Sequence, residues 1–228
     1  EKIGVITTGA GNPSAYIAMW KQAGAKVIPV VPTVALAKLM ERSGCDAVIA
    51  EGTESGGHVG EAATMALVPQ VCDATHLPVL AAGGIGDGRG VAAAFMLGAE
   101  GVQLGTRFLV AEECNVHPVY KQKILKAGDL ATMTTGKRLG HPVRSLRTPF
   151  TREMAKAEYS RDISDEELEQ MGVGALRKAA VEGNEKEGCF MSGQIAAMVK
   201  QEQPAAQIIR EIFDQAETVL SGAGKWIK

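Results

Sequence analysis

The sequence predicts an α/β protein on a parallel sheet of the TIM, or (βα)8, barrel type, with a smaller α+β substrate or cap domain. Three observations predict it. Apolar, β-branched runs recur at Ile3–Thr8, Val27–Val31, Ala47–Ala50, Val79–Ala82 and Val102–Leu104, with starts 20 to 32 residues apart. Helix-like stretches with Ala, Lys, Glu and Met at three-to-four spacing separate them. Several runs exit into Gly or Pro, as strands do where their carboxyl ends face a ligand. Strands that are apolar along their whole length belong to a sheet covered on both faces.

The first run exits through Gly9-Ala10-Gly11-Asn12-Pro13 into a predicted helix over Ser14–Ala23. The second stops at Pro32 and leads to a helix over Thr33–Ser43. The third opens a glycine-rich exit, Glu51-Gly52-Thr53-Glu54-Ser55-Gly56-Gly57-His58-Val59-Gly60. The fourth closes in Gly83-Gly84, and the fifth in Gly105-Thr106-Arg107, 22 residues later. Gly86-Asp87-Gly88 reads as the turn into the next helix. A barrel carries its phosphate site after strands seven and eight, so these two turns mark the runs as strands four to eight. Three further units, roughly 75 residues, are then expected ahead of Glu1. The alternative is a complete five-stranded flavodoxin-like sheet, which places its phosphate loop early rather than on its last two strands.

After residue 127 the texture changes. Residues 121–152 hold eight Lys and Arg against Asp129 alone, a net +7 in a chain of net −2. Residues 164–171, Ser-Asp-Glu-Glu-Leu-Glu-Gln-Met, have the pattern of a capped acidic helix start. Pro204–Leu220 reads as an amphipathic helix with Ile208, Ile209, Ile212, Phe213, Ala216 and Leu220 on one face. The expected division is 1–127 as the barrel part, 128–193 as the smaller domain and 194–228 as a helix returning to the barrel.

Composition narrows the function. Lys and Arg number 24 against 26 Asp and Glu, so the whole chain carries no nucleic-acid or membrane signature. No apolar run approaches the length of a membrane span, and the start at Glu1 does not read as a signal peptide. Cys45, Cys72, Cys114 and Cys189 are widely spaced and read as reduced thiols of a cytoplasmic protein, with Cys45 as packing. No His or Cys pair has the spacing of a zinc site, so no metal ligands are assigned.

Two constellations carry chemistry. Glycines at consecutive strand ends, Gly83-Gly84 and Gly105-Thr106, offer bare backbone N–H groups and a helix start to one phosphate dianion. Thr106 adds a hydroxyl and can cap the following helix. His58 lies among Gly56, Gly57 and Gly60, which strip bulk from around it so that a substrate can approach. An imidazole there can hydrogen-bond a carbonyl or transfer a proton. The +7 segment suits a solvated lid or a docking surface for an acidic partner. It has no interleaved aromatics for stacking nucleic-acid bases. His117 is ambiguous, and His141, in Gly140-His141-Pro142-Val143-Arg144, is a secondary candidate for substrate contact.

With these residues in view, the chain resembles the FMN-dependent enoyl-acyl-carrier-protein reductases II, a branch of the nitronate monooxygenase (2-nitropropane dioxygenase-like) superfamily. The carriers are Thr7–Pro13, Pro29–Pro32, Ala50–Gly60, Ala81–Gly84, Gln103–Phe108, His117-Pro118, Gly140–Arg144, Met171–Leu176 and Met191–Gln194. The resemblance implies an FMN barrel with the phosphate at Gly83, Gly84, Gly105 and Thr106, and His58 as the active-site histidine. It implies Thr8, Glu51, Gly57 and Gln103 near the cofactor, NADH or NADPH as reductant, and a monovalent cation. It further implies an acyl carrier protein bearing a thioester as partner, and a homodimer. The same barrel oxidises alkyl nitronates with FMN and O2 in other members, which stands as the alternative activity.

Overall fold

In a computed structural model, which describes residues 3–226, the chain groups into two compact units. The first comprises residues up to Thr53, Gly60–Gln103 and the stretch from Ile212. Its chain order is β1 (Val5–Thr8), α1 (Ser14–Gln22), β2 (Lys26–Val31), α2 (Val34–Arg42) and β3 (Val48–Glu51). After β4 (Gly57–His58), which belongs to the second unit, follow α3 (Thr64–Ala74), β5 (Val79–Ala82), α4 (Gly88–Met96) and β6 (Gly101–Gln103). All five predicted strands are present, within two residues of their predicted starts.

The five strands pair in parallel in the order β1-β2-β3-β5-β6. Each therefore lies beside its predecessor in this sheet, with no reversal of strand order. A flavodoxin-like sheet reverses at a switch point, so sequential winding removes that alternative and leaves the winding of a barrel. β1 is paired on one side only among the described residues, and Val5 on it is 55% exposed.

Burial explains the sheet. Val27, Val31, Val48, Ile49, Ala50 and Ala81 are almost wholly enclosed. Helices cover them with short stripes: Ala37 and Met40 on α2, and Leu67, Val68 and Val71 on α3. Side-chain caps set the helix starts. Thr33 Oγ1 accepts from Leu36 N–H at 3.2 Å, and Asp87 Oδ1 accepts from Arg89 N–H at 3.0 Å. The predicted turn at 86–88 is thus an Asp N-cap. Asp46, just ahead of β3, ties three chain segments together. It accepts from the Val27 N–H at 2.9 Å and pairs with Lys21 at 2.9 Å and Lys26 at 3.0 Å. Burial alone would raise its pKa, but the Val27 hydrogen bond and the two ammonium groups outweigh that and hold the carboxyl well below its ordinary range.

The second unit comprises Glu54–Val59 and Leu104–Glu211. It holds α5 (Thr106–Leu109), α6 (Pro118–Leu125), β7 (Thr132–Thr135), β8 (Val143–Leu146), α7 (Pro149–Glu158), α8 (Asp165–Gly172) and α9 (Ala175–Ala180). Its antiparallel sheet has the order β4-β8-β7. One apolar cluster gathers Tyr120, Ile124, Leu146 and Phe190, and a second gathers Phe150, Met154, Leu168 and Cys189. The predicted acidic helix is α8, with Ser164 and Glu167 forming a capping box. Thr148 and Thr151 cap α7 in the same way.

Three expectations are corrected, and one stretch gains structure that the sequence did not assign. Within the glycine-rich exit, Gly57 and His58 form a short strand against Arg144 and Val143. Gly105, not Thr106, occupies the N-cap of α5. The +7 segment is not uniformly solvated. Lys121 and Arg144 are buried, with Lys121 Nζ donating to Ala111 C=O at 2.8 Å and Arg144 Nη1 to Thr132 Oγ1 at 3.3 Å. In α10 (Ala205–Ser221), Ile208, Ile212 and Ala216 are buried at strict four-residue spacing, whereas Ile209 and Phe213 are each 49% exposed. The apolar face is narrower than the sequence suggests because four-residue spacing places only one row of side chains inward.

Asp46→Asn should lower unfolding free energy near pH 7 by about 1–2 kcal/mol, the scale of a charge-assisted hydrogen bond. Because the folded pKa is depressed, this contribution is present above the unfolded carboxylate value of about 4 and fades as pH falls below it. Urea unfolding of both proteins near neutrality and at about pH 3 should show the gap closing in acid.

Candidate active site

In the first unit, the predicted cofactor-contact residues sit at the carboxyl ends of the strands. Glu51 is in register with Ala82, and Ala82 with Gln103, so the last residues of β3, β5 and β6 form one row. In-register side chains on neighbouring strands share a face, which places Glu51 and Gln103 on the same side of the sheet end. Val31 pairs with Ala50, which puts Pro32 level with Glu51, whereas Thr8 pairs with Pro29, three residues earlier. Thr8 therefore stands lower in the sheet. Its Oγ1 is buried and makes no hydrogen bond among the described residues. Such an atom is costly unless a ligand or water satisfies it.

Directly beyond the row, Gly83 and Gly84 have φ of +87° and +71°. At Gly83 a Cβ would stand 2.8 Å from Gly52 O, so the turn excludes any side chain. Thr64 Oγ1 donates to Gly83 C=O at 2.9 Å and fixes the far side of the turn. The strand end is left as bare backbone, as anion recognition by N–H groups requires.

In the second unit, two constraints hold His58. On one side β4 pairs with β8, with His58 opposite Val143, and Val59 N–H donates to Pro142 C=O at 3.0 Å. On the other, the 54–57 segment crosses residues 192–194. Gln194 N–H donates to Glu54 C=O at 2.9 Å, and a Cβ at Gly56 would lie 2.6 Å from the Ser192 carbonyl carbon. Gly193 N–H donates to Thr106 Oγ1 at 2.8 Å, so the predicted phosphate-contact threonine also anchors this crossing.

His58 lines a cleft of about 280 Å³ in this unit, together with Thr135, His141, Phe150, Met154, Leu168, Cys189 and Met191. The walls are mainly apolar, and the polar groups are few: the two histidines, Thr135 and Glu169. This is the makeup of a small-molecule site. Tyr120 steadies one wall by donating to Met191 C=O at 2.6 Å. Burial pushes the Tyr120 phenol and the Cys189 thiol above their ordinary pKa values, so both stay protonated near neutrality.

The structure thus brings His58 and the secondary candidate His141 to one cleft. It places His117 elsewhere, as the N-cap of α6 with Nδ1 accepting from Val119 N–H at 3.2 Å. Sequence reading missed the apolar walls. Phe150 and Met154 lie four apart on α7, a spacing that reads only as core. No cluster of His, Cys, Asp and Glu suited to a metal ion occurs among the described residues.

A family profile described as nitronate monooxygenase matches residues 1–215. The chain belongs to the nitronate monooxygenase family. Curated relatives named probable nitronate monooxygenase, from Staphylococcus aureus strains JH9 and MSSA476, are 34% identical over 225 and 221 residues, or 94% and 92% of this chain. The chain spans 62% of the length of those relatives. Among solved structures, FabK from Thermotoga maritima is 50% identical with a TM-score of 0.94, over 98% of this chain and 71% of that one. Nitroalkane oxidase from Streptomyces ansochromogenes is 28% identical with a TM-score of 0.80, over 96% and 67%. The parallel sheet is therefore that of the barrel-like family fold.

Gly83→Ala should destabilise the protein by roughly 1–3 kcal/mol, the scale of one residue held at an unfavourable φ. Denaturant unfolding would show a lower midpoint with an unchanged slope. An unaltered midpoint would mean that the turn can relax.

Proposed function

We propose that this chain catalyses flavin-dependent reduction of a trans-2-enoyl thioester, carried on acyl carrier protein, with NADH or NADPH as reductant. The observation that carries the reading is the apolar cleft with His58 in its wall. A thioester acyl chain needs an apolar sleeve, and its reduction needs a proton donor or hydrogen-bond donor beside the reacting carbons. The 50% identity to FabK, against 34% and 28% to the relatives named for nitronate or nitroalkane chemistry, supports the reductase branch. We also read the five strands as strands four to eight of a (βα)8 barrel, and β7–α9 as part of the smaller substrate domain.

The residues present fit FMN. Thr8 Oγ1 is an orphaned buried hydroxyl, and Gly83–Gly84 is bare backbone at a strand end. The groups assigned to hold the cofactor are Thr8, Glu51, Gly57, Gln103 and, for its phosphate, Gly83, Gly84, Gly105 and Thr106. When bound, FMN supplies two-electron transfer between the nicotinamide and the substrate. The protein does the rest. The apolar walls orient the acyl chain and keep water from it. His58 donates a hydrogen bond to the thioester oxygen as negative charge develops there, or delivers the proton to the α-carbon. The exposed cations of the +7 segment receive the acidic carrier, a role that buried Lys121 and Arg144 do not share. All four cysteines are free, in keeping with a cytoplasmic enzyme. No helix among the described residues is long and apolar enough to cross a membrane.

Nitronate oxidation with FMN and O2 is the second reading, favoured by the family profile and the names of the Staphylococcus aureus relatives. Anaerobic flavin reduction by NADH, followed by crotonyl thioester or propyl nitronate, separates the two. Reoxidation by the thioester without O2 supports the reductase, and turnover of nitronate with O2 alone replaces it. His58→Ala should cut the supported activity by roughly 10²–10⁴-fold, the usual scale for an acid–base group, with FMN affinity retained. Raising ionic strength should raise KM for the carrier-bound substrate and leave a small thioester unaffected.

A further inference from the structure

A second cavity, of about 330 Å³, lies in the second unit and shares no lining residue with the His58 cleft. Its apolar surface comes from Val119, Ala131 and Leu146, and its charge from Lys123, Lys126 and Arg147. Glu185 also lines it and is the one carboxylate to do so. The cavity wall therefore carries +3 against −1 in a chain whose net charge is −2, so solubility does not require this concentration of cations.

The three cations differ in what they are free to do. Lys123 is committed: its Nζ lies 2.7 Å from Glu185 Oε2 and 5.2 Å from the centre of the Phe190 ring. The Lys126 ammonium has no hydrogen bond or ion pair within 4 Å among the described residues; its backbone N–H donates to Gln122 C=O at 3.1 Å, and its charge acts on Glu185 only at longer range. Arg147 is braced rather than consumed. Its backbone N–H donates to Ala131 C=O at 2.7 Å and its Nε to Thr132 C=O at 3.2 Å. Both terminal guanidinium nitrogens are without protein partners among the described residues. The negative end of the α6 dipole accounts for cations in the last turn of that helix, such as Lys123 and Lys126. It does not account for Arg147, which the turn after β8 brings to the same cavity. Thr148, the N-cap of α7, also lines it, but Pro149 has no N–H and the Thr151 N–H is taken by Thr148 Oγ1, so that helix start contributes its dipole and not a free donor.

We propose that this cavity is a binding site for a small organic phosphate monoester, held by Lys126 and the free edge of Arg147, with its organic part on Val119, Ala131 and Leu146. A dianion matches these two cations, and the guanidinium edge can grip it through two parallel hydrogen bonds. The apolar surface distinguishes an organic phosphate from the free ion. The site is independent of the flavin reading.

Titration of the ¹⁵N-labelled protein with phenyl phosphate, inorganic phosphate and phenol tests it. Saturable shifts are expected at the amides of Lys126, Gly128, Arg147 and Thr148, with phenyl phosphate binding more tightly than either fragment. Lys126→Gln with Arg147→Gln should weaken it about tenfold or more, or roughly 1.4 kcal/mol. Lys126→Gln alone, which breaks no side-chain hydrogen bond or close ion pair among the described residues, should weaken it in the same direction. No saturable shift at these amides, equal binding of inorganic phosphate, or unchanged affinity in Lys126→Gln would each overturn the proposal. Because the readout is local to these amides, loss of flavin activity would leave the result intact.

Discussion

Parallel hydrogen bonding between β3, β5 and β6 levels Glu51, Ala82 and Gln103 at one end of the sheet. The cofactor contacts proposed for the first unit depend on that register. A slip of one residue would turn Glu51 and Gln103 to the opposite face and move the Gly83–Gly84 turn off the row. The register is held most firmly at β3, which is buried on both faces, with half-buried β6 following it through β5. Val48, Ile49 and Ala50 on β3 and Ala81 on β5 have almost no exposed surface, so any slip would break packing on two sides at once. Asp46 holds the opposite end by bonding the first residues of β2 while leading into β3.

The second unit solves a different problem. His58 must be accessible and yet fixed, and a glycine-rich stretch is neither stiff nor well packed by itself. Pairing with β8 supplies stiffness from one side, and the crossing by Ser192–Gln194 supplies it from the other. Glycine is required at 56 because the crossing backbone comes closer than any side chain would allow. The residues that make His58 approachable in the sequence are therefore the ones that let a second chain segment lock it in place. The cleft it lines is then built by side chains from α7, α8 and the 189–191 segment, far from it in sequence.

Charge is sorted by depth in the same unit. Lys121 and Arg144 point inward, and their neighbours must compensate the loss of water. Lys121 does so with Ala111 C=O and Glu202, and Arg144 with Thr132, while desolvation still pulls the Arg144 pKa down. Lys126 and Arg147 point outward and keep their capacity for a ligand. One stretch of sequence thus supplies both internal struts and exposed cations.

The sequence by itself determined the parallel strands, their order along the chain, the turn at 86–88, the cap at Ser164, and the glycine turns. These features depend on local chemistry: apolar runs, turn-forming residues and side-chain oxygens near their own backbone. It also singled out His58, because glycines around a histidine are a local pattern. Tertiary structure alone decided that His58 lies on a strand, that Arg144 is inside while Arg147 is outside, and that Ile209 and Phe213 leave the buried face of α10. Each of these depends on which distant backbone lies opposite, a fact set by β4–β8 pairing and by packing. No periodicity in residues 54–60 or 140–147 encodes it.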